Sequence, residues 1–382
     1  MSVSAVLYNK HIPLVQVKLD GMIVVSITEI YNPHMLPIIL HTDSGEIDIG
    51  KMNSWLEKRQ IPDNRDGIAA VRNKYVHFAE QRPSMFSLSD QYWMQYTTDQ
   101  TWDSMNFFTN RYSQDTGCAF FTPWLLENTH RFGRSPDYTT NGALKKTWKL
   151  QPDGTSHLIK AGSRKLHQEP ITEVLASAML EKLNIIPFVK YTLTVEGMTL
   201  CSECANFVDK NTEFVPASHI YFSEPKKEGE NVYTHLLRMC DKYEISGAKE
   251  YIDSMITADR ILGNDDRHLG NFGFIRDAQT GRLLRFAPLF DSGSAYGGKT
   301  NRVNKQRLFE AQKEEAINNT LPKINLHELR KHHDVFELIS IYPDINKRQR
   351  EFIKRHIIRT EEELNRKILK TMERVDRQGD ER

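Results

Sequence analysis

A chain of 382 residues with 39% hydrophobic and 26% charged side chains can bury the core of one large two-lobed domain or of two ordinary ones. Lysine and arginine number 51 against 50 aspartates and glutamates, so no surplus of either sign supports a general polyelectrolyte-binding role. The four cysteines are too few and too irregularly spaced for a disulfide scaffold, no stretch has the apolar length of a membrane span, and the N-terminus lacks the pattern of a secretory signal. These features lead us to expect a cytoplasmic protein, or one exported as an effector by a dedicated system, with no membrane contact and no direct nucleic-acid binding.

Residues 1 to about 45 alternate apolar and polar side chains, as in Leu14-Val15-Gln16-Val17-Lys18-Leu19, which predicts a small set of strands. Residues 51–80 read as helical with a break at Pro62. Gln81 to about Arg134 is dense in aromatic residues with little periodicity; irregular structure packed on another surface explains that better than a ligand cage does. Residues 1–134 therefore form an N-terminal accessory region.

From about Ser135 the pattern changes. Thr139 to Leu150 reads as a strand and turn, Asp153-Gly154 marks a turn, and Ser156 to Lys160 alternates as a second strand. A helix follows from about Pro170 to Leu183, then strands at Tyr191–Val195 and Thr199–Phe207. Cys201 and Cys204 form a C-x-x-C pair without a second half, and read as small core residues on a strand. Beyond Val232 the pattern is mostly helical apart from a loop-rich passage at 263–300, and residues 345–370 read as a solvated helical face whose basic side chains are interrupted by Glu361, Glu362 and Glu363.

The segment Gly263-Asn264-Asp265-Asp266-Arg267-His268-Leu269-Gly270-Asn271 carries the chemistry. It follows an apolar helix, Tyr251–Leu262, and precedes an expected strand, Phe272–Arg276. Asp266 and Asn271 have the spacing of the Asp and Asn in a kinase catalytic loop, where a carboxylate faces the attacking hydroxyl and an amide oxygen turns toward magnesium. Further on, Ala287-Pro288-Leu289-Phe290-Asp291-Ser292-Gly293 reads as an apolar strand ending in an Asp before a Gly turn, the position of the second magnesium ligand of a kinase. Upstream, Lys160 ends a strand and suits the phosphates of ATP, and Glu173 on the next helix suits a partner for it.

With Asp266-Arg267-His268-x-x-Asn271 and Phe290-Asp291 in place, the chain resembles the HipA-like family of bacterial serine/threonine kinases, whose D-x-H-x-x-N signature is shared with phosphatidylinositol kinases. Leu144-Lys145-Lys146-x-Trp148, Leu158-Ile159-Lys160-Ala161-Gly162, Gln168-Glu169-Pro170 and Cys204-Ala205-Asn206-Phe207 extend the likeness over about residues 135–300, with looser agreement to about 370. The resemblance implies an α+β, two-lobed protein-kinase-like fold, with an N-lobe at 135–210 and a helical C-lobe at 211–382. It implies that Asp266 is the base with His268 beside it, that Asn271 and Asp291 hold Mg2+, and that Lys160 binds phosphate. Backbone groups around Ala205 and Phe207 would meet adenine. The phosphate-covering loop around Thr139-Thr140-Asn141-Gly142 has Gly142 as its one glycine, and a Ser in this loop of HipA is autophosphorylated; here the candidates are Ser135, Thr139 and Thr140.

The expectation is thus an ATP- and Mg2+-dependent serine/threonine-protein kinase acting on a protein substrate, with the toxin of a toxin–antitoxin pair, and so an antitoxin partner, as one form it can take. A lipid or small-alcohol kinase of the same fold, and an ATP-binding pseudokinase or DNA-associated binding module, are the alternatives. Residues 1–134 do not read as the small N-terminal domain of the long HipA proteins.

Overall fold

The alternation at the start of the chain folds into antiparallel strands β1 (Val3–Asn9), β2 (Ile12–Asp20) and β3 (Ile23–Ile30). Lys10 (φ 48°) and Gly21 (φ 62°) turn the chain between them in the left-handed region. The sheet's inner face (Leu7, Val15, Val17, Leu19) packs on Met52 and Leu56 of helix α1 (Ile49–Glu57), whose N-terminus is capped by Asp48 accepting from the Lys51 amide. A second short helix, α2 (Ile68–Lys74), follows the break at Pro62. The computed structural model describes residues 2–42, 45–75, 78, 84–163, 168–297, 308–324, 337, 347, 350–360, 362–363 and 366–367, so the end of the expected 51–80 helix lies outside the described residues.

The aromatic-rich segment contributes β4 (Tyr92–Gln95), which pairs with β1 to give the order β3-β2-β1-β4. Two short helices follow, α3 (Trp102–Met105) and α4 (Asp115–Phe121). Its rings are core. Phe86 stacks on Trp93 at 4.9 Å, and Phe78, Phe120 and Phe132 meet edge to face in a cluster that reaches Ile159, Ala161 and Cys201 of the next sheet. The accessory region and the following lobe thus share a hydrophobic core.

That next sheet has β5 (Lys146–Leu150), β6 (Ser156–Ala161), β7 (Thr192–Glu196) and β8 (Thr199–Ala205) in the order β5-β6-β8-β7, with α5 (Glu169–Leu183) between β6 and β7. The first strand starts later than the Thr139 expected from sequence. Pro136–Thr139 is instead a 3-10 turn, because the buried Asp137 carboxylate accepts from the Trp148 amide and the Thr147 hydroxyl, both at 2.8 Å, and holds the turn off the strand. Cys201 and Cys204 are buried free thiols on β8.

The C-terminal part contains α6 (Ala217–Tyr221), α7 (Val232–Lys242), α8 (Ala248–Leu262) and α9 (Lys313–Thr320), together with a three-stranded sheet in the order β11 (Leu283–Phe286), β10 (Gly273–Asp277), β9 (Thr212–Pro216). Ala287–Phe290 is not a strand as expected: the ladder ends at Phe286, and beyond it Leu289 makes one parallel bridge to Phe188. Residues 350–360 are helical, but only one side of this helix is solvated. Ile353 and Ile357, four apart, are buried in the largest core, and the His356 ring is hydrogen-bonded to the Ile261 carbonyl at 3.0 Å. Among the described residues no helix is long and apolar enough to cross a membrane.

Candidate functional site

Strand periodicity places the first site residue. Ile159 and Ala161 on β6 point into the aromatic core, so Lys160 between them points the other way, toward α5. There its Nζ donates to Glu173 Oε1 at 2.6 Å and to Asp291 Oδ1 at 2.5 Å. Glu173 is 1% exposed, and its second oxygen accepts the Ser202 hydroxyl from β8. One ammonium therefore sits between two carboxylates of unequal burial.

Burial alone would lower the Lys160 pKa, but attraction to Asp291 and Glu173 outweighs it and raises it. Burial would raise Asp291, yet Lys160 holds it below the usual carboxylate range; with 36% of that side chain exposed, water screens part of the attraction. At Glu173 burial wins and pushes the pKa up, with Lys160 opposing. Asp291 is the better anion of the two.

Asp291 also has φ 55°, the left-handed region, which costs a non-glycine residue of order 1 kcal/mol. The turn is held by the Tyr191 hydroxyl accepting from the Asp291 amide (3.3 Å) and by the Thr172 hydroxyl of α5 donating to the Gly293 carbonyl (2.7 Å). A side chain at Gly293 would begin 3.2 Å from Glu169 Cβ and 3.4 Å from Glu173 Oε1, so glycine lets the turn lie directly on α5.

The second part of the site is the loop after α8, whose end is capped by Gly263 in the left-handed region. Arg267 organises it. Its Nε and Nη2 each lie 2.9 Å from a different oxygen of Asp259, and its Nη1 donates to the Asn271 carbonyl (2.7 Å) and the Phe290 carbonyl (2.6 Å). One buried guanidinium thus ties the end of α8, the 266–271 loop and the turn that presents Asp291. Within the loop, the Asn271 amide NH2 donates to the Asp266 carbonyl (3.3 Å), and the Asn271 backbone N–H to the His268 carbonyl (2.8 Å). His268 is exposed, and its Nδ1 accepts from the Gly270 amide.

The structure therefore brings Lys160, Glu173 and Asp291 into direct contact, and joins Asp266 and Asn271 to them through Arg267. Ala205 is the exposed last residue of β8. The Phe207 ring stacks on Phe290, at 5.5 Å and 30°, so the segment after β8 touches the residue before Asp291. Gly142 has φ 101°, and a Cβ there would lie 2.5 Å from Lys146 Nζ.

Sequence reasoning gave no role to Arg267, Asp259, Ser202 or Lys146. Lys146 was recoverable, because antiparallel pairing of β5 with β6 sets it directly opposite Lys160 on the same face. Although its side chain is partly exposed, burial and the neighbouring cations Lys160 and Arg65 push it down to about 7.

Would magnesium fit? Asn271 Oδ1 has no protein partner among the described residues, and with the Asp291 carboxylate it forms a hard oxygen pair. Magnesium is ordinarily held by one or two such protein groups plus phosphates, so the donor set fits.

No protein-family model matches the chain. A 54-residue stretch, 14% of this chain, is 43% identical to the serine/threonine-protein kinase CtkA of Helicobacter pylori strain J99, and the match spans only 16% of that relative's length. The crystal structure of the H. pylori proinflammatory kinase CtkA superposes on 57% of this chain and 90% of its own, with 17% identity and a TM-score of 0.46. HipA of Shewanella oneidensis MR-1, solved with HipB and operator DNA, superposes on 95% of this chain and 97% of its own, with 10% identity and a TM-score of 0.51. A likeness over 95% of the chain takes in most of residues 1–134. With two β-rich parts sharing a core, a helical part bearing the Asp266 loop, and this near end-to-end superposition, the chain has the fold of the HipA-like kinases.

Proposed function

We propose that the chain is an ATP- and magnesium-dependent phosphotransferase that phosphorylates serine or threonine on a protein. The observation that carries this reading is Lys160 bridging Glu173 and Asp291, with Arg267 fixing the Asp266 loop to the Asp291 turn. A buried lysine paired with a helix glutamate presents a fixed charge to phosphate oxygens. Asn271 and Asp291 would hold Mg2+, Lys160 and Lys146 would face the phosphates, and backbone groups at Ala205 and Phe207 would meet the adenine beneath the loop that ends at Gly142. Bound Mg-ATP supplies the transferable phosphoryl group and the divalent charge that offsets its oxygens. Asp266 would accept the proton of the acceptor hydroxyl as its oxygen bonds to the transferred phosphorus and the phosphorus–oxygen bond to ADP breaks, ADP leaving, and His268 would help to shape that loop by accepting from the Gly270 amide.

The fold shared with a HipA of a toxin–antitoxin system, solved beside HipB and operator DNA, is consistent with an antitoxin partner for this chain. The test is phosphoproteomics of cells expressing the chain beside its Asp266→Asn variant. New phosphoserine or phosphothreonine that depends on Asp266 is the expected result. No autophosphorylation and no labelling of any protein with Mg-ATP would sink the reading, and transfer to phosphoinositide vesicles alone would move it to a lipid kinase.

A further inference from the structure

The loop expected to cover the phosphates has a single glycine, too few for the mobile glycine-rich loops of other kinases. Besides local bonds to Pro136, Asp137 and Trp148, it is held from elsewhere in the chain. Arg65, in the turn before α2, is 2% exposed, and its Nη2 donates to the Thr140 carbonyl. The next residue repeats the contact through the backbone, the Asp66 amide donating to the Ala143 carbonyl at 2.8 Å. Two further ties flank these. The Thr139 hydroxyl donates to the Phe86 carbonyl (2.9 Å), and the Lys145 ammonium to the Phe120 carbonyl (3.0 Å). Four separate points of the accessory region thus grip residues 139–145, and the strand that begins at Lys146 carries the lysine opposite Lys160.

Arg65 is the costly member of this set. A guanidinium is rarely buried without a full set of partners, yet its Nε–H has none among the described residues. The nearby Asp137 carboxylate offsets its charge, but burial prevails and draws Arg65 down to about 10. A cation kept there at such cost, with its one side-chain hydrogen bond among the described residues aimed at a loop carbonyl, acts on that loop.

We infer that Arg65 is a positioning residue for the nucleotide site: from outside both lobes it pins the Thr140 carbonyl, fixes the loop over Lys146 and Lys160, and so sets the affinity for the phosphates of ATP. This deepens the kinase reading above and rests on it, but the pin itself is visible without nucleotide. Loop release lets Gly142 move off Lys146 and widens the mouth of the site without touching Asp266 or Asn271. The effect belongs in binding rather than in the chemical step.

The full-length chain and its Arg65→Ala and Arg65→Lys variants are compared by hydrogen exchange and by kinetics with Mg-ATP. Amides at 140–146 exchange about tenfold faster in Arg65→Ala, while amides of α8 keep their protection. KM for ATP rises about tenfold with kcat within about threefold, and Arg65→Lys, which retains one donor, recovers part of both effects. A merely structural role would lower the melting temperature and the active fraction yet leave KM unchanged. Should Arg65→Ala fail to fold, Thr139→Val decides, since it deletes the tie to Phe86 together with the local bond to the Pro136 carbonyl and should move both readouts the same way by less. Wild-type exchange and wild-type KM in whichever variant folds would overturn the inference. If the unmodified chain neither binds nor consumes ATP, the kinase reading falls, while exchange at 140–146 still decides whether Arg65 pins the loop.

Discussion

The two loops that meet at the site are held in opposite ways. The Asp266 loop is knit by its own residue Arg267, which reaches Asp259 eight positions away and Phe290 before the Asp291 turn, while that turn also takes ties from Lys160, Thr172 and Tyr191. The phosphate-covering loop has local ties to Pro136, Asp137 and Trp148 but is also gripped from another part of the chain, Arg65 lying 75 positions before Thr140. A locally knit loop keeps its shape whatever happens in the accessory region, whereas a loop gripped from outside transmits what happens there. Chemistry and nucleotide affinity therefore rest on separable parts of the molecule.

The sharpest way to probe the locally knit half is to remove its chemistry without disturbing its ties. Asp266→Asn keeps the backbone carbonyl that accepts from Asn271, so the loop should stay in place. General-base assistance typically contributes about a hundredfold to ten-thousandfold in rate, and turnover should fall by that much. Calorimetric titration should find ATP and magnesium binding nearly intact, and loss of metal-dependent binding in this variant would reverse the roles given to the two aspartates.

Untying the knot should instead cost stability. Arg267 and Asp259 have side chains only 6% and 11% exposed, and removing one member of a buried pair leaves an uncompensated charge worth about 3–5 kcal/mol. Arg267→Ala should accordingly lower the urea midpoint and abolish activity together. A variant that unfolds at the wild-type midpoint would show that water, rather than Arg267, can satisfy Asp259.

The contrast also explains what the sequence could reveal. Lys160 and Glu173 were legible because each lies on a regular element whose period fixes its direction, and the helix expected at Pro170–Leu183 is observed at Glu169–Leu183, whereas Asp291 was read from its place before a Gly turn. Arg65 was not legible, since nothing in a turn near Pro62 announces a carbonyl far along the chain. Thr139 misled because a polar run before a strand resembles the strand until Asp137 is seen folding back on Trp148. Ala287–Phe290 has strand composition but lacks a full ladder partner, a fact of tertiary pairing that composition does not carry. The buried side of residues 350–360 was missed because its charged side chains were weighed and the Ile353–Ile357 pair was not.

Where the two halves of the site touch, the effect should be smaller. Asp291→Asn keeps the shape of the turn but removes the anion that Lys160 holds and that magnesium would take. The dissociation constant for ATP should rise about tenfold when magnesium is present and change little in its absence. Equal weakening with and without the metal would assign Asp291 to Lys160 alone.

The smallest effect tests whether the accessory region is bound as firmly to the C-terminal sheet as to the phosphate loop. Glu213 on β9 is 1% exposed and accepts from Asn9 of β1, from the Gln91 amide (3.2 Å) and from Arg276 of β10 (3.4 Å), and Arg276 also donates to the Tyr92 hydroxyl of β4. Burial pushes this carboxyl from the ordinary 4.5 up to about 7, with Arg276 opposing. Between those two values the folded carboxyl keeps a proton that the unfolded chain has released, so the folded state binds more protons and this group's contribution to stability falls as pH rises through the window. Above pH 7 it changes no further. Glu213→Gln cannot titrate, so the wild type should lose about 1–3 kcal/mol relative to that variant between pH 5 and about 7.5, read from urea midpoints at each pH. A wild-type-to-variant difference that stays constant across that range would mean that Glu213 is ionised throughout and paired to Arg276. The accessory region would then be fastened to the C-terminal sheet by a fixed ion pair rather than by a carboxyl that titrates near neutral pH.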